Sequence, residues 1–132
     1  MIDKHQRAID DFGVFVRSLV RDLNHLSEDG WSVLVEGQRD EEALRRLGFA
    51  GPVASISSVK RKGVGAFGES RKVVILTDLD REGAVLAARH MKLLSHEGVR
   101  VSLAERRRLK RASKGVFLHV ENLSRFGEPE TD

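Results

Sequence analysis

Apolar residues recur at Ile9, Phe12, Val16, Leu19, Leu23 and Leu26, alternately three and four positions apart, which draws one stripe along a helix that ends before Gly30. Residues 1–30 are therefore expected to form an amphipathic N-terminal helix packed on the protein's own core, a protein partner being the other use of such a stripe. Gly13 weakens that helix by about 1 kcal/mol relative to alanine. From residue 31 the period changes. Short apolar runs at Ser32–Val35, Val53–Ile56, Val73–Thr77 and Val99–Leu103 read as strands, and helical stretches fit Glu41–Leu47 and Gly83–Leu94, with Gly48 and Gly98 as helix stops. Strands alternating with helices predict an α/β fold with a parallel sheet of about four strands flanked by helices. Val116, Leu118 and Val120 alternate as a possible fifth, edge strand. The domain is expected to run over 31–126, and the short polar tail over 127–132 to be disordered.

A chain of 132 residues with 40% hydrophobic content builds one compact domain with a real core. It contains no cysteine, which excludes disulfides, thiolate zinc sites and cysteine nucleophiles. No stretch approaches the roughly 20 apolar residues of a membrane span, and the opening MIDKHQRAIDD lacks the apolar core of a signal peptide. The expectation is a cytoplasmic protein with no membrane partner.

The formal net charge of +3 is unevenly placed: residues 1–50 carry 7 Lys/Arg against 10 Asp/Glu, and residues 51–132 carry 16 against 10. Lys60, Arg61 and Lys62 form one basic cluster, and Arg106, Arg107, Arg108 and Arg111 anchor another. Such clusters suit a polyanion, because neutralising several phosphates together releases condensed counterions; an ordinary solvated face is the alternative.

Acids stand where the strands end. In an open α/β sheet, ligands bind outside the carboxyl ends of the strands. Here the first strand runs into Glu36-Gly37 and the third into Asp78-Leu79-Asp80-Arg81-Glu82-Gly83. If the two strands are neighbours, four carboxylates converge, and their mutual repulsion needs a counter-charge. A hard divalent cation with oxygen ligands and retained waters supplies it, and also polarises a phosphoryl oxygen. Asp78 and Asp80 could instead cap the following helix, but capping does not account for Glu36.

These residues carry a resemblance. Val35-Glu36-Gly37-Gln38-Arg39-Asp40, followed by Leu44, Leu47 and Gly48, resembles the first motif of the Toprim family, and Thr77-Asp78-Leu79-Asp80-Arg81-Glu82-Gly83 resembles the second, in the wording of type IA topoisomerases. The likeness covers roughly residues 31–104. It implies a Rossmann-like Toprim sheet in which Glu36 acts as general acid or base or helps hold the metal. Asp78 and Asp80 would ligate Mg2+, with Mn2+ as an alternative, and Glu82 would support them. Type IA topoisomerases usually have a further acid where this chain has Ala84, so the number of metals stays open.

Gly63-Val64-Gly65-Ala66-Phe67-Gly68 matches a dinucleotide fingerprint but lacks the strand before it and the helix after it, and reads as a mobile glycine loop. His119 could contact RNA or join a catalytic group, though an exposed strand histidine is the simpler reading. His90 fits packing. The chain has no tyrosine, so it cannot cut DNA through a phosphotyrosine as a complete topoisomerase does. Without cysteine it also lacks the zinc module common in Toprim primases and recombination mediators. The expectation is a stand-alone Toprim protein, similar in size and basic C-terminal character to the ribosomal-RNA maturase: a magnesium-dependent phosphodiester hydrolase acting on structured RNA or DNA. The alternative is a non-catalytic nucleic-acid-binding module or assembly factor. Lys60, Arg61, Lys62, Arg81, Arg106, Arg107, Arg108 and Arg111 are the expected contacts to the nucleic-acid backbone.

Overall fold

Two parallel strands at the centre of the molecule are buried on both faces, which explains why they read as unbroken apolar runs rather than as alternations. In the computed structural model, which describes residues 3–127, these are β1 (Trp31–Val35) and β3 (Lys72–Ile75). β2 (Val53–Ser55) pairs with β1 and β4 (Arg100–Ser102) with β3, so the order is β2-β1-β3-β4 with every pair parallel. Side chains alternate across this sheet. Val33, Val35, Val74 and Leu76 enter one apolar cluster, while Leu34, Val73 and Ile75 enter another on the opposite face.

The first cluster is closed by α1 (Lys4–Glu28), α2 (Gln38–Arg46), α5 (Ala104–Ser113) and a 3-10 segment at Val120–Phe126. Asp3 caps α1, its side chain accepting from the Gln6 amide at 2.7 Å. Phe12, Val16, Leu19 and Leu23 are buried against the core as the stripe predicts, so this face of the helix is occupied within the molecule. Gly13 has a packing reason: a Cβ there would lie 3.0 Å from the Phe126 ring. The second cluster is closed by α3 (Ile56–Lys62), the 3-10 turn Gly63–Phe67, and α4 (Arg81–His96).

Several sequence expectations need correction. Residues 63–68 are not an open glycine loop: Gly63–Phe67 form a 3-10 turn that follows directly on α3. The Ser55 hydroxyl accepts from the Ser58 amide at 3.2 Å and starts α3, and Ile56 and Phe67 are buried at its ends. Residues 116–120 are not a strand: they join no ladder, and their backbone bonds to the loop after β3. The helix expected at Glu41–Leu47 begins at Gln38, and the one expected at Gly83–Leu94 runs over Arg81–His96. Of the tail, residues 128–132 lie outside the described residues. No helix among the described residues is long and apolar enough to cross a membrane.

The connection after β1 runs through α2 to β2 on one side, and the connection after β3 runs through α4 to β4 on the other. The strand order thus reverses between β1 and β3, and a reversal of this kind opens a crevice outside the carboxyl ends of the two strands.

Candidate metal centre

Glu36 leaves the end of β1 and Asp78 follows β3 by way of Leu76 and Thr77, so the crevice at the reversal begins with two carboxylates side by side. The Asp78 amide donates to Glu36 Oε1 at 3.2 Å. Each aspartate of the Asp78-Leu79-Asp80 loop divides its oxygens between two tasks. Asp78 Oδ1 accepts from the Val120 amide at 2.8 Å, and Asp80 Oδ1 accepts from the Gly83 amide at 2.7 Å as the N-cap of α4. The remaining oxygens turn toward one imidazole: Asp78 Oδ2 lies 3.3 Å and Asp80 Oδ2 3.9 Å from His119 Nδ1. One ligand atom from each of Asp78, Asp80 and His119 falls within 4.8 Å of the others. Capping and metal binding are therefore compatible, since they use different oxygens. An open crevice of about 590 Å3, lined by Glu36, Arg39, Asp40, Glu42, Asp78 and Glu121 among others, adjoins this set.

Below the loop sits a cation. Arg106 is 7% exposed; its Nε donates to Thr77 O at 3.3 Å and Oγ1 at 3.1 Å, and its Nη2 to Asp78 O at 2.5 Å. The buried Thr77 hydroxyl in turn donates to Gly83 O at 2.7 Å, which ties β3 to the first turn of α4. That turn packs so tightly on the loop that a Cβ at Gly83 would collide with the Asp78 carbonyl. Gly83→Ala should therefore destabilise the fold by about 2 kcal/mol, as overpacking does, and urea unfolding measures it.

Crowding shifts the titration of this edge. Burial, then the charge of Asp78, raises the Glu36 carboxyl from 4.5 to about 7. Asp40, 7% exposed, is also raised by burial, opposed by the Gly37 amide that donates to its Oδ2 at 3.0 Å. The hydrogen bond to Asp78 raises His119. All three groups hold their protons to higher pH in the folded protein than in the unfolded chain. The metal-free protein should thus lose stability as pH climbs from about 4.5 to about 7 and beyond, the reverse of a carboxylate depressed by an ion pair. Thermal melting across that range, with Glu36→Gln as a control that loses much of the slope, measures this. Added divalent cation should stabilise more at high pH, because the ligands must be deprotonated.

No family model matches the sequence. Among known proteins, the chain is 35% identical over 102 residues to a UPF0292 protein of Pyrococcus abyssi, covering 76% of this chain and 77% of that one. A second UPF0292 protein, from Thermococcus gammatolerans, is 36% identical over the same share of each chain. The chain belongs to the UPF0292 family. A solved structure of an Aquifex aeolicus protein superposes with a TM-score of 0.64 at 27% identity, covering 80% of this chain and 94% of that one. It extends the α/β architecture of this UPF0292 chain to a protein of known structure.

The expected site residues land unevenly. Asp78 and Asp80 come together with His119, and Glu36 meets Asp78 through the Asp78 amide; neither Glu36 nor Glu82, which is exposed in the first turn of α4, belongs to that group of three. The arginine cluster is not one patch. Successive helical residues point about 100° apart, so Arg106 turns inward beneath the loop and Arg107 outward. Arg108 lies against α1, paired with Asp22 at 3.1 Å and stacked over Phe15. Arg106 is thus buried within the fold and Arg108, though exposed, is paired on its surface, while Arg107 and Arg111 are exposed, as are Lys60, Arg61, Lys62 and Arg81. Lys60–Lys62 sit in the last turn of α3. Asp40, Glu121 and the inward role of Arg106 escaped the sequence reading. The signal for Asp40 was present, as the acid four residues after Glu36 at the start of a helix.

Proposed function

We propose that this chain is a Toprim-type protein whose β1/β3 edge holds a divalent cation, Mg2+ or Mn2+, and hydrolyses phosphodiester bonds in structured RNA or DNA. The observation that carries this reading is Glu36, a carboxyl raised to about 7 and set against Asp78 at the crevice where the strand order reverses. A carboxyl that titrates near neutrality can take a proton from an attacking water and return it to a leaving oxygen. Asp78 and Asp80 each keep one oxygen free of backbone bonds, a donor set that fits a hard dication with retained waters. When bound, such an ion polarises the phosphoryl oxygen and offsets the charge that builds up there. Arg106 braces the loop from beneath, so the carboxylates stay in place before substrate arrives.

The exposed Arg107, Arg111 and Lys60–Lys62 are the proposed grips on the polyanion. Incubating purified protein with labelled cellular RNA and DNA tests the reading. Turnover should require Mg2+ or Mn2+, stop with a chelator, and stop in Glu36→Gln while binding persists. The logarithm of affinity should fall with the logarithm of salt by about 0.7 to 0.9 per phosphate contacted, and Arg107→Ala with Arg111→Ala should flatten that slope. Metal-dependent binding without turnover under all conditions would instead make the protein a non-catalytic module.

A further inference from the structure

We infer that His119 is a third ligand of the divalent site and that its imidazole makes the site select Mn2+ over Mg2+. The inference rests on the reading of the β1/β3 edge as a metal centre, and it extends that reading to a residue on neither strand end.

Three observations support it. The two aspartate oxygens not bonded to backbone amides both turn to the same nitrogen, His119 Nδ1, at 3.3 and 3.9 Å. A simple histidine–carboxylate pair needs one carboxylate, and here two converge. Second, His119 is held from both sides. The Leu79 amide donates to the Leu118 carbonyl at 2.6 Å, and the Val120 amide donates to Asp78 Oδ1 at 2.8 Å. The residues before and after the histidine are thereby stitched to the loop that carries the aspartates. Val120, 1% exposed, anchors the segment in the core. Third, the chain makes an unusual turn to bring it there. At the end of α5, Lys114 adopts φ 51° and Gly115 φ 80°, two successive left-handed residues, one of them costly for a side-chain-bearing residue. The imidazole itself is 48% exposed, so packing does not explain this placement.

The donor set decides the ion. Carboxylates and water alone suit Mg2+, whereas an imidazole nitrogen adds little for Mg2+ and favours first-row transition metals. Mn2+ accepts both kinds of donor. Asp78 and Asp80 would then set affinity for any dication, and His119 would set preference among them.

Pulsed electron paramagnetic resonance of the Mn2+-loaded wild-type protein reads the contact directly. The expected result is a nitrogen hyperfine coupling from a bound imidazole, absent in His119→Ala. Competition titration should show the Mn2+/Mg2+ affinity ratio falling about tenfold in His119→Ala, with Mg2+ affinity little changed. Mn2+ that binds wild type without nitrogen coupling would overturn the inference alone and leave His119 a hydrogen-bond partner of Asp78. Failure of both ions to bind saturably would overturn the metal reading together with it.

Discussion

Arg106→Ala should lower stability by about 3 kcal/mol, whereas Arg107→Ala, one residue along the same helix, should change it by less than about 0.5 kcal/mol. Arg106 donates to three acceptors, Thr77 O, Thr77 Oγ1 and Asp78 O, two of them on a residue that is fully buried. Hydrogen bonds to a charged donor contribute about 1.5–3 kcal/mol each, and a buried acceptor left without a partner costs about 1–3 kcal/mol, so even with water partly replacing the guanidinium the loss is large. Burial lowers the Arg106 pKa, and the charges of Asp80, Glu36 and Asp78 oppose that, so the cation also offsets the repulsion among these acids. Lysine should rescue little, because a point charge cannot reproduce the fork that spans residues 77 and 78. Urea unfolding of the two alanine variants and of Arg106→Lys gives the comparison. Equal midpoints for Arg106→Ala and Arg107→Ala would show that the loop does not depend on the buried guanidinium.

Arg106 also shows where the sequence was legible and where it was not. Runs record order along the chain but not direction in space. The central strands could be read because burial on both faces leaves continuous apolar runs, and the acids at their ends gained meaning from a general rule about open sheets. Three adjacent arginines, by contrast, look like one basic patch until a helix fans them apart, one beneath the Asp78–Asp80 loop, one into solvent and one onto Asp22. The alternation Val116, Leu118, Val120 has the period of a strand, yet the partners of its backbone are Leu79 and the Asp78 carboxylate rather than a sheet edge. That pairing is set by tertiary contact, and the left-handed turn at 114–115 that directs it leaves only a glycine as its trace. His119 was visible as a residue for the same reason that its role was not. The helix at 56–62 lacked a long apolar period because only Ile56 is buried along it.

Asp78→Asn should abolish binding of the divalent cation and reduce any turnover by at least about a hundredfold, while leaving the metal-free fold as stable as before or more so. Asparagine retains an oxygen to accept from the Val120 amide, now at 2.8 Å, so the structural half of the side chain survives. The anionic half is lost, and with it the second-largest cause of the raised Glu36 pKa, which should drop toward its ordinary value. Asp80→Asn should behave alike, since asparagine caps a helix as well as aspartate does, whereas Asp80→Ala should cost about 1 kcal/mol through the lost cap.

Calorimetric titration of Mg2+ and of Mn2+ into metal-free wild type and Asp78→Asn tests the site itself. The account predicts saturable binding of at least one ion to wild type and none to the variant, with thermal melts of the two metal-free proteins agreeing or favouring Asp78→Asn. Indistinguishable isotherms, or a variant that fails to fold without metal, would contradict it.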